Sequence, residues 1–410
     1  MAAAHTPRLR GARRGPQGRP TRLWHGPTPQ TAREQKMTQR RPRLRDLGIT
    51  LGTMPTGGWN AITDVPGVRV GHTTVIHGEG PLRIGHGPAR TGVTAIHPHE
   101  DSVFTARIPA AIVVLNGAGE ITGRSQVDEY GLLESPILIT NTLSVGAVHT
   151  GCVEWLRARE PSLGPRDFVI PVVAETSDKF LNDIAGQHVT IAHVFAALDG
   201  ATSGPVAEGN VGGGTGMHLF RFKGGSGTSS RVVTYGGRDY TVGVLVQGNC
   251  GRREDLLVDG VPVGLAIPDH LPEQGGPPEE RGDGSIIIVI GTDAPLTDRQ
   301  LGRLCRRGML GLGRVGVIAA HGSGDLLIAF SNAPENRADR FTSATFLTST
   351  FVNDTQINDL FQATVEATAE AVLNALVAAE TMVGRDGNTL YALPHDRLQA
   401  IMRAHGRLST

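Results

Sequence analysis

The sequence predicts a layered, mixed α/β fold, a sandwich ordered helix, sheet, sheet, helix. Three observations carry that prediction. From Arg45 onward, short β-branched runs end repeatedly in Gly, Pro, Asn or Asp, the pattern of buried strands and tight turns. Between them lie stretches whose apolar residues recur at helical spacing. The two kinds of segment alternate along most of the chain, which favours sheets covered by helices.

Taken in order, "AAIVVLNGAG" (residues 110–119), "SPILIT" (135–140) and "DFVIPVVAE" (167–175) each read as a buried strand followed by a polar corner. "VGAVHTGCVEWLRARE" (145–160) and "QHVTIAHVFAALDG" (187–200) read as helices. Further strands are expected at "GMHLFRF" (216–222), "RVVTYGG" (231–237) and "DYTVGVLVQGN" (239–249). After a strand at 285–291, Thr297 and Gln300 form a capping box. Leu301, Leu304, Cys305, Gly308 and Leu312 then make an apolar and small-residue stripe opposite Arg299, Arg303, Arg306 and Arg307. A pair of strands is expected at "RVGVIAAHG" (314–322) and "DLLIAFSN" (325–332). A last long helix, about 357–383, places Phe361, Val365, Val372, Leu376 and Val383 on a buried side. No repeat of 20 to 50 residues interrupts this order.

Composition narrows the class. The chain has 410 residues, 39% of them hydrophobic, enough to fill a sizeable core. Lys plus Arg and Asp plus Glu number 39 each, so the chain as a whole shows no preference for nucleic acid or an anionic membrane surface. The balance is uneven: Arg8, Arg10, Arg13, Arg14, Arg19, Arg22 and Arg33 crowd the beginning. Residues 1–41 read as a disordered basic extension, with Met37 an alternative start. Residues 42–284 and 285–410 read as two parts of one domain, divided at the end of a long internal break. Three scattered cysteines fit no disulfide framework or paired zinc spacing and favour a reducing, cytoplasmic setting. No apolar run reaches the ~20 residues that cross a bilayer. Residues 269–284, "DHLPEQGGPPEERGDG", are the one long internal break, read as an exposed loop of the kind where chains are cut.

Several motifs invite a site. No G-x-S-x-G elbow is present, against an α/β-hydrolase. "GNVGGGTGM" (209–217) lacks the Gly-Lys-Ser/Thr ending of a phosphate cradle and reads either as a tight turn needing positive φ or as a backbone wall against a substrate. "IHPHED" holds His97, His99 and Glu100 without a metal-ligand spacing, and reads as a solvated loop; no metal is expected. At "RGDGSIIIVIGTD" (281–293) a flexible stretch stops at Ser285, and a β-branched strand begins with the next residue. Taken alone, this is more often a turn serine entering a strand. If the Gly284–Ser285 bond is cut, however, Ser285 gains an α-amine with a reference pKa of about 7.7 to 8.0, a proton acceptor next to its hydroxyl.

"NAITDVPGVRVGH", "NTLSVG", "LNDIAG", "EGNVGGGTGM", "YTVGVLVQGNCGRREDL", "GSIIIVIGTDAPL" and "GSGDLLIAFSNA" follow one another along the chain. Together they resemble the DmpA-type family of L-aminopeptidase/D-Ala-esterase/amidases, which includes the β-peptidyl aminopeptidases, over about residues 42–383. The resemblance implies a four-layer αββα sandwich of the N-terminal-nucleophile-hydrolase kind and self-cleavage between Gly284 and Ser285, with Ser285 as nucleophile. It implies that Ser323 and Asp325 support the nucleophile and that Asn249 supplies an oxyanion-hole donor. Glu175 would hold the substrate's free amino group. The family pattern around "ETSDKFLND" carries an aromatic and then a tyrosine where this chain has Ser177 and Phe180, a departure bearing on substrate preference and rate. No cofactor is implied. The implied partners are a small peptide or amide substrate with a free amine and further copies of the chain, as a tetramer of cleaved units. Alternatives are a hydrolase of ω-amino-acid (nylon-type) oligomers, a catalytically weak family member, a binding shell, and an acyltransferase of the ornithine-acetyltransferase kind. The last is disfavoured because those enzymes cut before threonine.

Overall fold

In a computed structural model of the protein the described residues are 41–275 and 284–408. The expectations for the basic extension, up to residue 40, and for most of the acidic loop, residues 276–283, lie outside them.

Burial periodicity builds the layers. Two sheets form. The first has four strands in the order β1 (Arg69–His77), β2 (Ala89–His97), β4 (Ile137–Asn141), β5 (Val172–Thr176), antiparallel except for the β4/β5 pair. The second has seven, with its central path running from β3 (Ala106–Gly117) through β9 (Gly324–Ser331), β8 (Ser285–Thr292) and β7 (Arg238–Asn249) to β6 (Gly225–Tyr235). In β8, which is buried throughout, Ile286, Ile288 and Ile290 join one apolar cluster while Ile287 and Val289 join another. A strand with period two that is apolar on both faces must be covered on both.

The three clusters are the three interfaces of the sandwich. One unites Ile137, Ile139, Val172 and Ala174 of the first sheet with Leu245, Ile287, Leu326 and Ile328 of the second. Another packs Leu138 and Val173, on the opposite side of the first sheet, against α1 (Val145–Arg157) and α2 (Ile191–Asp199) through Val148, Cys152, Val194 and Leu198. The third packs Ile288, Leu327 and Ala329 against α3 (Asp298–Arg314) and α4 (Asn358–Val377). The order is helix, sheet, sheet, helix. The α3 capping box is present, with Thr297 accepting from the Gln300 N–H, and the whole small-residue stripe is buried.

The structure corrects several local expectations. "GMHLFRF" is not one strand but a two-residue hairpin, His218–Leu219 against Phe222–Lys223, because Phe220 and Arg221 adopt φ of 50° and 60°, the left-handed pair that closes such a turn. "RVGVIAAHG" is not a strand either: the Val317 N–H closes back on the Leu312 carbonyl, and Gly316 and Ala319 take positive φ, which breaks an extended run. The long helix expected at 357–383 ends at Val377, with Val383 exposed beyond it and a further helix at His395–Ala404; its body is buried all round instead of on one side. His97 and His99 are buried and not on a solvated loop; His97 lies on β2 with its Nε2 on the Leu198 carbonyl, and His99 Nε2 bonds the Ala106 carbonyl. In "GNVGGGTGM" only Gly209 and Gly212 have positive φ, and the remaining glycines are required by close packing: a Cβ on Gly213 would lie 2.0 Å from Gln247 Oε1. Among the described residues no helix is long and apolar enough to cross a membrane.

Candidate active site

Ser285 is the first residue of β8 and is buried. It faces Asn249, the last residue of β7, in the antiparallel register and Gly324, the first residue of β9, in the parallel one. Cross-strand partners project to the same side of a sheet. Two residues along, Gln247 projects into the space between the sheets and donates to the Thr140 carbonyl and Thr176 Oγ1 at 2.9 and 2.7 Å. Asn249 and Ser285 follow the same alternation, so both stand at the rim of the inter-sheet space.

Asn249 is held from two sides by backbone groups whose roles cannot invert. Its Nδ2 donates to the Ser177 carbonyl at 2.9 Å, and its Oδ1 accepts from the His218 N–H at 3.1 Å. A carbonyl only accepts and an N–H only donates, which fixes the orientation of the side-chain amide.

The residue before the nucleophile is glycine for a spatial reason. Gly284 has φ of 79°, and a Cβ there would lie 2.4 Å from the Asn249 carbonyl oxygen and 2.8 Å from Cys250 Cα. Its own carbonyl accepts a hydrogen bond from the Gly324 N–H at 3.3 Å.

Ser323 and Asp325 flank Gly324, beside the nucleophile. The Ser323 hydroxyl donates to Asp325 Oδ1 at 2.7 Å, while Asp325 Oδ2 is buried with no hydrogen-bond partner among the described residues. Burial pushes the Asp325 carboxyl up, and the Ser323 hydrogen bond only partly opposes it. The register pairs Asp325 with Ile286, so alternation places it on the helix-facing side, opposite to Ser285. The couple reaches the rim through Ser323, which precedes the strand, and not from a turn between two strands.

Glu175 is brought to the same rim by residues 118–120. The Ala118 N–H donates to the Ser323 carbonyl at 3.3 Å, and the Glu120 N–H donates to Glu175 Oε1 at 2.9 Å. Between them, a methyl group on Gly119 would sit 3.0 Å from that carboxylate oxygen and 3.2 Å from Gly324 Cα. The other oxygen, Oε2, accepts from the Thr142 hydroxyl. No cation pairs with Glu175 among the described residues, and burial pushes its carboxyl above the ordinary range. Phe180 is half-buried four residues beyond the end of β5, its carbonyl accepting from Asn388 Nδ2 at 2.8 Å.

Sequence reasoning proposed Ser285, Asn249, Ser323, Asp325 and Glu175 as site residues, and the structure brings all five to one edge of the sandwich. It missed the residues around Glu175: Thr142 and the backbone of Glu120, which donate to its carboxylate, and Gly119, packed between it and Gly324. Thr142 stood within a recognised motif, "NTLSVG", but its contact with Glu175 crosses between strands. Asp178, also missed, is fully buried beside Asn182, which donates to it at 2.9 Å, and burial raises it to about 7.

Comparison with known proteins shows the family. The profile of peptidase family S58 matches residues 60–390. The β-peptidyl aminopeptidase BapA of Sphingosinicella xenopeptidilytica is 48% identical over 375 residues, spanning 88% of this chain and 91% of its own. Among solved structures, the L-aminopeptidase D-Ala-esterase/amidase of Ochrobactrum anthropi, described as a prototype of the serine aminopeptidases with a variant Ntn-hydrolase fold, is 46% identical. It superposes with a TM-score of 0.83 over 90% of this chain and 100% of its own. The PH0078 protein of Pyrococcus horikoshii OT3 is 45% identical with a TM-score of 0.84 over the same shares. With an αββα sandwich, a serine at the head of its central strand and a family profile over most of its length, the chain belongs to peptidase family S58, the DmpA-type serine aminopeptidases.

Proposed function

We propose that this chain cuts its own Gly284–Ser285 bond and then removes N-terminal residues from short peptides, amides and esters through an acyl-enzyme on Ser285. The observation that carries the proposal is Ser285 at the head of β8, opposite a fixed amide donor, Asn249, with the buried carboxylate of Glu175 held at the same rim through residues 118–120.

In the first reaction Ser285 Oγ attacks the Gly284 carbonyl carbon. The acyl group passes from nitrogen to oxygen, giving an ester and a free α-amine. Water then hydrolyses the ester, leaving a carboxylate on Gly284. The Gly324 N–H, already on the Gly284 carbonyl, supports the charge that develops there.

In the second reaction the neutral α-amine of Ser285 takes the hydroxyl proton as Oγ attacks the substrate acyl carbon. Asn249 Nδ2 donates to the oxyanion, the proton passes to the departing amine, and water resolves the acyl-enzyme. Glu175 confers the need for a free amino terminus. A desolvated carboxylate with two hydrogen bonds and no cation gains most from an ammonium, and a blocked substrate leaves it unpaired. The family relative named a β-peptidyl aminopeptidase supports including β-residues among the substrates.

The test combines intact mass under denaturing conditions with release of p-nitroaniline from alanyl and β-alanyl anilides. Two fragments meeting at Gly284 and Ser285, turnover abolished in Ser285→Ala, and no turnover of N-acetylated substrates are the expected results. An uncut chain that still hydrolyses the anilides would overturn the mechanism.

A further inference from the structure

Lys223 is fully buried, and its three hydrogen-bond partners are backbone carbonyls. Its Nζ donates to Gly224 and Met217 at 2.6 and 2.7 Å and lies 3.5 Å from the Gly214 carbonyl. Burying an ammonium is costly, and a lysine left inside a protein without a carboxylate calls for an explanation. Packing alone does not supply one, since a methionine would fill similar space.

The explanation lies in the peptide group that Lys223 holds. The carbonyl of Met217 and the N–H of His218 belong to one planar unit. Lys223 bonds the carbonyl end at 2.7 Å, and the N–H end donates to Asn249 Oδ1 at 3.1 Å. Asn249 Nδ2 in turn is the group aimed at Ser177 and the nucleophile's rim. A continuous chain of donors and acceptors thus runs from the Lys223 amino group to the proposed oxyanion donor.

Such a chain has a direction. A cation on a carbonyl withdraws electron density from its peptide unit, which makes the N–H a stronger donor, and hydrogen bonds in series polarise one another. The stronger the bond to Oδ1, the more positive the Nδ2 protons become. The same bond also sets which end of the amide faces the substrate: turned over, Asn249 would present its oxygen to the Ser177 carbonyl and to a developing oxyanion. The hairpin carrying Lys223 is itself tied to the end of β7, where the Phe220 N–H donates to the Cys250 carbonyl at 2.8 Å and Leu219 packs so closely that a Cβ on Gly248 would lie 2.8 Å from its Cδ2.

We infer that Lys223 is a positioning residue for acyl transfer, acting through the Met217–His218 peptide to orient and polarise the side-chain amide of Asn249. The inference rests on the function proposed above. It assigns Lys223 no contact with substrate. Self-cleavage, in which the Gly324 N–H attends the Gly284 carbonyl, does not require it.

The test is a double-mutant cycle in the full chain. Loss of one oxyanion donor typically costs ~10²–10³ in rate, so Asn249→Ala should lower kcat on the β-alanyl anilide by about that much. Lys223→Met should still cut itself, keep KM within about threefold, and lower kcat by roughly tenfold or more, up to the Asn249→Ala loss. The double variant should be no slower than Asn249→Ala alone, because a residue acting only through Asn249 has nothing left to act on. If the losses multiply, if Lys223→Met keeps full kcat, or if folded Lys223→Met stays uncut, the inference is overturned. Should Lys223→Met fail to fold, Lys223→Gln, which can still donate to the buried carbonyls but carries no charge, takes its place with the same expectations. An inert wild type, or an Asn249→Ala variant of full activity, would instead strike the proposed function.

Discussion

The backbone N–H of Gly324 donates to the carbonyl of Gly284 across 3.3 Å. The peptide bond next to Ser285 is therefore already engaged by a donor suited to its tetrahedral intermediate, on a residue whose φ of 79° only glycine adopts at little cost. Gly284→Ala would meet the Asn249 carbonyl oxygen at 2.4 Å and move the scissile carbonyl off this donor. The expected result is a folded chain of uncut mass, 43.3 kDa for all 410 residues, and no anilide turnover. Cleavage of Gly284→Ala at the wild-type rate, read by mass spectrometry over time, would mean that the geometry at this glycine is not required.

Glu175 sets a pH dependence that differs from that of the nucleophile. Substrate capture needs Glu175 ionised and the Ser285 amine neutral. The amine, with a reference pKa of about 7.7 to 8.0, gives log kcat/KM a slope of one on its acid side. Desolvation raises the Glu175 carboxyl above its ordinary value, so a second unit of slope enters at a pH above 4.5 instead of below it. Glu175→Gln should remove that second unit and raise KM for free-amine substrates by roughly tenfold or more, as losing one charge-assisted contact does. Stability moves the other way. A carboxylate whose folded pKa is raised favours folding most below its unfolded pKa and loses that contribution as pH rises through the folded value. The Glu175→Gln protein should be at least as stable as wild type at pH 7 in a urea titration; a less stable one would mean the carboxylate is already compensated.

The layers were legible in the sequence because each rests on local periodicity. Ile286 to Ile290 is apolar at every position, which demands cover on both faces, and the Thr297 cap and its stripe declare α3 and its buried side. Pieces whose structure depends on distant backbone were not legible. Residues 314–322 look like a strand by β-propensity, but the Val315 carbonyl accepts from the Leu257 N–H and the positive φ of Gly316 and Ala319 breaks the extended run. The helix at residues 358–377 was readable as a helix but not as a fully buried one, since Glu366 and Glu370 look exposed until Arg45 and Arg231 are brought to them. In the site, the five proposed functional residues stood out through their motifs. Their supports did not, because a contact such as Thr142 with Glu175 joins positions that only the pairing of β4 with β5 brings together.

That buried charge cluster makes a stability prediction. Glu370 accepts from Arg45 Nε at 2.7 Å, from an Arg231 guanidinium nitrogen at 2.7 Å and from Asn60 Nδ2 at 2.5 Å. Burial alone would raise its pKa; the bonds and charges of Arg45 and Arg231 outweigh it and leave the carboxyl below its ordinary range. Glu370→Gln would remove one of the two carboxylates that pair with the fully buried Arg231, leaving it Glu366 at 3.1 Å and the carbonyls of Leu51 and Ser230 at 2.8 Å each. Removing one partner of a buried pair typically costs ~3–5 kcal/mol, which denaturant titration at pH 7 would register. A depressed carboxyl pKa contributes stability above the unfolded value that is lost as pH falls through the folded one, so the gap between variant and wild type should narrow in acid. A loss under about 1 kcal/mol at pH 7 would show that Arg231 finds other partners.

Ser177 separates catalysis from selection. Its backbone carbonyl holds Asn249 Nδ2 at 2.9 Å, a contact that any residue at this position can make, while Ser177 itself is half-buried one residue beyond the end of β5. Ser177→Tyr should therefore preserve self-cleavage and the Asn249 contact but reduce the room for the acyl group. Steric discrimination in a pocket is worth about 1–3 kcal/mol per methylene-sized change. The ratio of kcat/KM for alanyl over leucyl anilide should accordingly rise by roughly tenfold or more in the variant. Equal losses on both substrates would place the effect on the oxyanion donor instead, and an unchanged ratio would put the side chain of Ser177 outside the acyl pocket.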